Sequence, residues 1–435
     1  MGKDGQSKMT VLAISGLMLF PQGERRGYMA AYLGMRAYVE AGHRVHFLTC
    51  WPPLEHYEGQ EARAARDRIE DGIHVHEFHV PWVERLSRFR RAKLPANKFL
   101  HYLIYLFQIL LCEYVIWGLF TAGAVVAGIR IARRVKPDVI YGFHIGNAAG
   151  WVVSRRYGVP LITRVFGTFL YSLLSTRFYK FRYFTSVTAF TVPCDCLIIL
   201  DDGTRGDYVA EVLRVPKARV RFWRDGIHPS MLEKPKEIVD LRARWNIPEK
   251  NKIILTLGRM WLVKGFHKLI RAVPRMVQQY QDVTVLMVGD GGEREFLEKM
   301  VRDFSVDQWV KFPGSLAHDE VKSCMYLADV FVQLCDISNL TNVLIEALSC
   351  RRCVVTLDDG STKGLITDGE TGFLAPPGDD HALADTVVRL LRDDSLRRRV
   401  GEAAGQHVAQ QLLTWDRRNQ MEIDLVQDLV SHSKS

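Results

Sequence analysis

The sequence has eight cysteines but no metal-site pattern: neither Cys194 with Cys196 nor Cys350 with Cys353 has a matching Cys or His pair. Most lie in apolar runs, which predicts buried free thiols in a reducing compartment and argues against disulfides. There is no secretory signal, because Met1–Met9 is polar and leads straight into a strand-like segment. The Met-Gly start lacks Ser or Thr at the sixth position, which excludes the myristoylation pattern. A disorder signature is missing too: 48% hydrophobic and 25% charged residues are the proportions of a folded globular chain.

At 435 residues the chain is long enough for two or three domains. Its net charge of +9 and pI near 9.1 suit phosphate-bearing partners: nucleotides, anionic lipid surfaces or nucleic acid. No nucleic-acid reader motif accompanies the charge, so nucleic acid is not expected as a partner.

In the first half, Thr10–Ser15 reads as a buried strand, Tyr28–Glu40 as a helix stopped by Gly42, and Arg44–Thr49 as a second strand. This βαβ opening, with Gly27 at the helix entrance for close approach by a ligand, predicts a doubly wound parallel sheet. Ile73–His79, Asp138–Tyr141, Leu161–Arg164 and Cys196–Leu200 read as further strands, with helical patterns between them.

Two stretches depart from the soluble pattern. Residues 85–98 carry six Arg and Lys with almost no acids, and Phe99–Ile129 has Glu113 as its one formal charge. Three readings fit: a buried helix pair, a membrane-inserted hairpin, or a surface lying on an anionic leaflet. Gln108 and Glu113 interrupt the ~20-residue apolar run that a span requires. Basic residues beside apolar and aromatic ones favour the leaflet, and Thr176–Phe184 repeats the combination. Stacking of single-stranded nucleic acid on these aromatics is the weaker alternative.

After a polar linker at 229–252 a second α/β series begins. Its strands are Ile253–Leu257, Val283–Val288, Trp309–Phe312, Val330–Leu334 and Val354–Leu357. Its helices are Gly265–Gln279, Glu293–Asp303, His318–Leu327, His381–Arg392 and Leu396–Gln411, with a last amphipathic helix at Met421–Ser431.

Two places here carry chemistry. Arg259 and Lys264 flank one helix entrance, with Gly258 and Gly265 beside them; an Arg fork and a Lys point charge at a helix N-terminus suit a diphosphate. The stretch Cys335–Cys350 leads from a strand through Ser338, Asn339, Thr341 and Asn342 into a helix. Its free N–H groups suit an anion, and Glu346, one turn beyond Asn342, suits two vicinal hydroxyls. An ordinary crossover with a solvated Glu is the alternative at this point. The run Gly289-Asp290-Gly291-Gly292 after a strand is a poor hydride-cofactor signal, because the third glycine of that fingerprint falls on Arg294.

The ordered set Gly258-Arg259…Lys264-Gly265, VGDGGE, SNLTNVLIEAL and LITDGETGFLAPPGD, with RGYMAAYLGMRAYVEAGHRV in the first half, resembles retaining glycosyltransferases of family 4 over essentially the whole chain. The resemblance implies a GT-B fold: two Rossmann-like doubly wound parallel-sheet domains facing across a cleft. Residues 1–228 would form the acceptor domain with a membrane-associating segment, 229–414 the donor domain, and 415–435 a helix crossing back.

It implies a metal-independent hexosyltransferase that takes a UDP- or GDP-linked sugar as co-substrate, without a cofactor; the basic and aromatic stretches of the first half motivate a lipid-linked or membrane-proximal acceptor. The enzyme would lie at the cytoplasmic face of an anionic membrane. Arg259 and Lys264 would hold the diphosphate and stabilise its departing charge, and Glu346 would hold the ribose. Gly27, Gly258, Gly291, Gly314, Leu316, Ser338, Asn339, Leu340, Thr341 and Asn342 would line the donor, with His144, Arg164 and Gly167 on the acceptor side. The sequence contains no Asp-x-Asp metal motif. The anomeric configuration would be retained, with a phosphate oxygen taking the acceptor's proton.

Three departures stand out. The first of the family's paired glutamates is Ser338, its His-Gly pair is Phe166-Gly167, and its Asn-Gly-Val-Asp crossover is Asp225-Gly226-Ile227-His228. A soluble acceptor, or a catalytically impaired nucleotide-sugar-binding subunit, are the other readings.

Overall fold

The computed structural model describes residues 8–16, 29–51, 67–80, 114–228, 231, 233 and 239–434. The chain divides into two compact units. Unit 1 comprises residues 1–201, 205–225 and 416–435; unit 2 comprises 202–204 and 226–415.

In unit 1, the described strands are β1 (Thr10–Ser15), β2 (Arg44–Trp51), β3 (Arg68–Glu70), β4 (Ile73–His79), β5 (Val139–Phe143), β6 (Leu161–Val165), β7 (Cys196–Leu200) and β8 (Val220–Trp223). They form one sheet in the order β3-β4-β2-β1-β5-β6-β7-β8, parallel except for the β3–β4 pair. The inner strands are buried on both faces, as their unbroken apolar runs require. Helices α1 (Met29–Glu40), α2 (Val115–Val135), α3 (Asn147–Tyr157), α4 (Phe184–Thr191) and α5 (Gly206–Val212) connect them.

Helix α2 is long and apolar enough to cross a bilayer by length and composition. Its i, i+4 stripe Ile116, Phe120, Ala124, Gly128 and Ala132 is nevertheless buried, as in a helix packed on a sheet. The opposite flank is open, with Val126 58% exposed. The basic stretch 85–98 and residues 99–113 of the apolar stretch 99–129 lie outside the described residues.

In unit 2, strands β9 (Lys252–Leu257), β10 (Val283–Val288), β11 (Val310–Gly314), β12 (Val330–Gln333), β13 (Cys353–Leu357) and β14 (Phe373–Ala375) run parallel in the order β11-β10-β9-β12-β13-β14. The helices are α6 (Phe266–Gln279), α7 (Arg294–Asp303), α8 (His318–Leu327), α9 (Asn342–Ser349), α10 (Asp380–Arg392) and α11 (Asp394–Gln411). Strand order reverses between β9 and β12, paired through Val330↔Ile254 and Phe331↔Leu255. An open α/β sheet receives its ligand at such a switch point, outside the carboxyl ends of the strands.

Helix α12 (Trp415–Lys434) begins six residues before the expected Met421 and packs Ile423, Val426 and Val430 into the core of unit 1. The seven described cysteines are buried free thiols, and burial raises the thiol pKa of Cys196, Cys324 and Cys353 to about 12.

Candidate active site

The loops leaving the switch point of unit 2 are bonded to one another by main chain. Gly258 N donates to Val288 O at 3.0 Å, Met260 N to Asp290 O at 2.9 Å, Gly289 N to Gly314 O at 2.8 Å and Glu293 N to Met260 O at 3.0 Å. The loops after β9, β10 and β11 therefore form one platform. Across the reversal, Asp336 N donates to Val263 O at 2.9 Å and Lys268 Nζ to Leu334 O at 3.0 Å. Two glycines make this approach possible. A Cβ on Gly265 (φ 77°) would sit 1.9 Å from Leu334 O, and one on Gly289 (φ 130°) 1.8 Å from Gly258 O. No side chain fits either place.

Gly265 opens α6 in the left-handed conformation, and no side chain caps that helix. Its first N–H groups therefore face outward beside Lys264, with Arg259 earlier in the same loop. Arg259 is exposed, its guanidinium 5.3 Å from the Trp261 ring centroid. Among the described residues no carboxylate pairs with Arg259 or Lys264. Two uncompensated cations and an uncapped helix end make an anion site.

The loop between β12 and α9 is held by its own side chains. Asn339 is fully buried: its Oδ1 accepts from Cys335 N at 2.8 Å, while its Nδ2 donates to Asp359 Oδ2 at 2.7 Å and Cys335 O at 3.1 Å. Its own N–H donates to Ser361 Oγ at 2.8 Å, which joins this loop to the one after β13. Thr341 Oγ1 caps α9 by accepting from Leu344 N at 3.2 Å and also accepts from Gln333 Nε2 at 2.6 Å. Ser338 Oγ donates to the Asp202 carbonyl and accepts from Leu340 N at 3.1 Å, and Leu340 is buried. These four residues build the loop, and the polar side chains of Ser338, Asn339 and Thr341 are engaged with it and with its neighbours. Asn342 is exposed.

Glu346 is half-buried on α9 and has no side-chain hydrogen bond or ion pair among the described residues. Burial alone raises its pKa to about 7. A carboxyl held this way gains when hydroxyl donors reach it, because they favour its ionised form.

Gly258, Gly291 and Gly314 lie in the bonded platform, and Leu316 packs half-buried into the cluster around Phe331 and Leu344. Gly27 lies outside the described residues. His144 (φ 47°) and Gly167 (φ 69°) follow β5 and β6 at the carboxyl edge of unit 1's sheet.

Arg164 belongs to an internal network. It is 1% exposed, donates to Asp225 Oδ1 at 3.0 Å and Glu422 Oε2 at 3.4 Å, and lies 5.0 Å from the Phe166 ring. Arg418 donates to the same Glu422 oxygen at 2.9 Å, and the Tyr141 hydroxyl donates to the other. Burial pushes Glu422 up, but Arg164 and Arg418 outweigh it and hold the carboxyl below its usual value.

Sequence reasoning missed the Asp359–Ser361 turn that braces Asn339; the Asp-Gly-Ser run was its signal. Among the described residues no group of three metal-ligating side chains occurs.

Residues 238–407 match the family model described as Glycosyl transferases group 1. Alpha-D-kanosaminyltransferase of Streptomyces kanamyceticus is 25% identical over 301 residues, covering 66% of this chain and 77% of that relative. Sucrose-phosphate synthase from Thermosynechococcus elongatus superposes with a TM-score of 0.74 at 18% identity, covering 98% of this chain and 100% of that one. HepE of Anabaena, solved with UDP and glucose, gives 0.67 at 17% identity over 97% and 100%. Unit 2 thus carries a glycosyl transferases group 1 domain, and the chain has the two-domain parallel-sheet fold of the GT-B glycosyltransferases.

Proposed function

We propose that the protein is a metal-independent, retaining glycosyltransferase of family 4. It takes a hexose from a UDP- or GDP-linked donor and passes it to a lipid-linked or membrane-proximal acceptor. The observation that carries the reading is the charge arrangement at unit 2's switch point: an uncapped helix start with two cations and Glu346, none of which has an ionic partner among the described residues. The diphosphate takes the cations and the helix N–H groups, and the ribose diol takes Glu346. UDP bound to HepE, which shares the fold, supports a nucleotide ligand.

In the reaction, an acceptor oxygen bonds to the anomeric carbon as the bond from that carbon to the β-phosphate oxygen breaks. The electron pair leaves with the diphosphate, and the acceptor's proton passes to a phosphate oxygen on the same face. Arg259 and Lys264 stabilise the charge that accumulates there.

The open flank of α2, with Arg130, Arg133 and Arg134 toward its C-terminal end, supports a place on the cytoplasmic face of an anionic membrane. Ser338, engaged within its loop where the family has a carboxylate, favours the impaired-subunit reading, and one experiment separates the two. Wild-type protein is incubated with UDP- and GDP-sugars and an acceptor lipid extract, and donor consumption is followed. Turnover that is lost in Arg259→Ala is expected. Binding of UDP or GDP without turnover on any donor would leave the impaired subunit, and turnover unchanged in Arg259→Ala would remove these residues from the site.

A further inference from the structure

Within unit 1, Tyr171, Leu174, Ser175, Arg205, Tyr208 and Val212 line an open cavity of about 730 Å³. That volume is within the roughly 300–1,000 Å³ of small-molecule sites. Tyr171 comes from the short helix Leu170–Leu173, while Arg205 and Tyr208 come from the start of α5.

The two rings meet edge to face with centroids 5.8 Å apart, and both are exposed, at 45% and 42%. The Arg205 guanidinium lies 5.3 Å from one centroid and 5.6 Å from the other. Its carboxylate neighbour, Asp207, is 3.9 Å away with both side chains about half exposed, a pairing worth little. Arg205 also holds a left-handed backbone (φ 57°) that an L-residue adopts at a cost. The chain thus keeps an exposed guanidinium between two tyrosines at an unfavourable backbone angle.

We propose that this cavity is a subsite for an acidic saccharide, a sugar ring bearing a carboxylate, within the acceptor glycan. The C–H face of a sugar packs on the electron-rich face of a tyrosine, and the two phenol groups offer hydrogen bonds to its hydroxyls. The Arg205 fork takes the carboxylate through two parallel bonds. The concave shape and the phenol hydroxyls favour a sugar over a lipid surface, which would meet a convex apolar face. This proposal rests on the glycosyltransferase reading.

The test measures binding of a glucuronate-terminated disaccharide and its neutral glucose counterpart to the full chain by saturation-transfer NMR, without donor. The acidic sugar is expected to bind about tenfold more tightly, as a charge-assisted bond implies. Arg205→Gln brings the ratio to near one, and Tyr171→Ala weakens both sugars. Equal binding of the two sugars by wild type, or an unchanged ratio in Arg205→Gln, overturns the proposal. So does displacement by inorganic phosphate at equal concentration, or phosphatidylglycerol-vesicle binding that falls in Arg205→Gln. A UDP-induced thermal shift of the wild type reports on the donor reading alone, so the two failures are distinct.

Discussion

The two units treat charge in opposite ways. In unit 1, Arg164, Arg418 and Glu422 are buried at 1–2% exposure and pair with one another, with Asp225 and Tyr141 completing the group. In unit 2, among the described residues, Arg259 and Lys264 stand without a carboxylate, and half-buried Glu346 has no donor. A buried ion group whose members satisfy one another holds a structure in place. Charges left uncompensated where strand order reverses are arranged for a ligand. Residue type does not distinguish these roles; surroundings do.

The sharpest way to break this contrast is Glu422→Ala. It leaves two arginines buried without their carboxylate and is expected to destabilise unit 1 by about 3–5 kcal/mol. Calorimetry checks this: the earlier-melting transition should move while that of residues 226–415 stays. Arg259→Ala should do the reverse, lowering turnover about 10²–10³-fold, or ~2.7–4 kcal/mol, without shifting the melting midpoint. A large midpoint shift would mean that Arg259 is structural after all.

Glu346 sharpens the comparison through pH. Its folded pKa of about 7 is above the ordinary 4.5, so the unfolded chain ionises first. The stability of the ligand-free protein should fall as pH rises from about 4.5 to about 7, by about 1–3 kcal/mol, and level off above. Glu346→Gln should abolish that slope in urea titrations across this range. Nucleotide affinity should rise over the same interval, because the ionised carboxylate accepts the diol. The smallest effect is expected at Arg275, which forms a two-bond pair with Asp385 at 2.8 Å on the open surface. Arg275→Ala should leave both midpoint and turnover unchanged, since water already screens such pairs.

Much of this was legible in the residues. Short apolar runs rich in β-branched residues, such as Val283–Val288, read as strands buried on both sides, and Gly265 marked a place where backbones meet. Arg68–Glu70, Val220–Trp223 and Phe373–Ala375 were not read as strands, because three or four residues hold too little alternation to register. The first turns of α12 were hidden for another reason. Arg418, Asn419 and Glu422 look like a solvated face, yet all three are buried, because partners far away in sequence neutralise or bond them. Arg164 was placed beside the acceptor for the same cause: a charge at a strand's carboxyl end looks functional until its distant counter-ion is known. Ser338–Thr341 illustrate the converse, since polar loop residues that look ready for a ligand are used to shape the loop itself.

The discontinuity of unit 1 has a consequence for how the chain is made. Residues 226–415 are contiguous and can acquire their fold as soon as they leave the ribosome. Unit 1 begins first but must wait for Ile423, Val426, Val430 and for Glu422, the second carboxylate of Arg164, 258 residues downstream. Until then the part of its sheet that α12 covers stays open, and Arg164 has Asp225 without Glu422. The half synthesised first is therefore the half completed last.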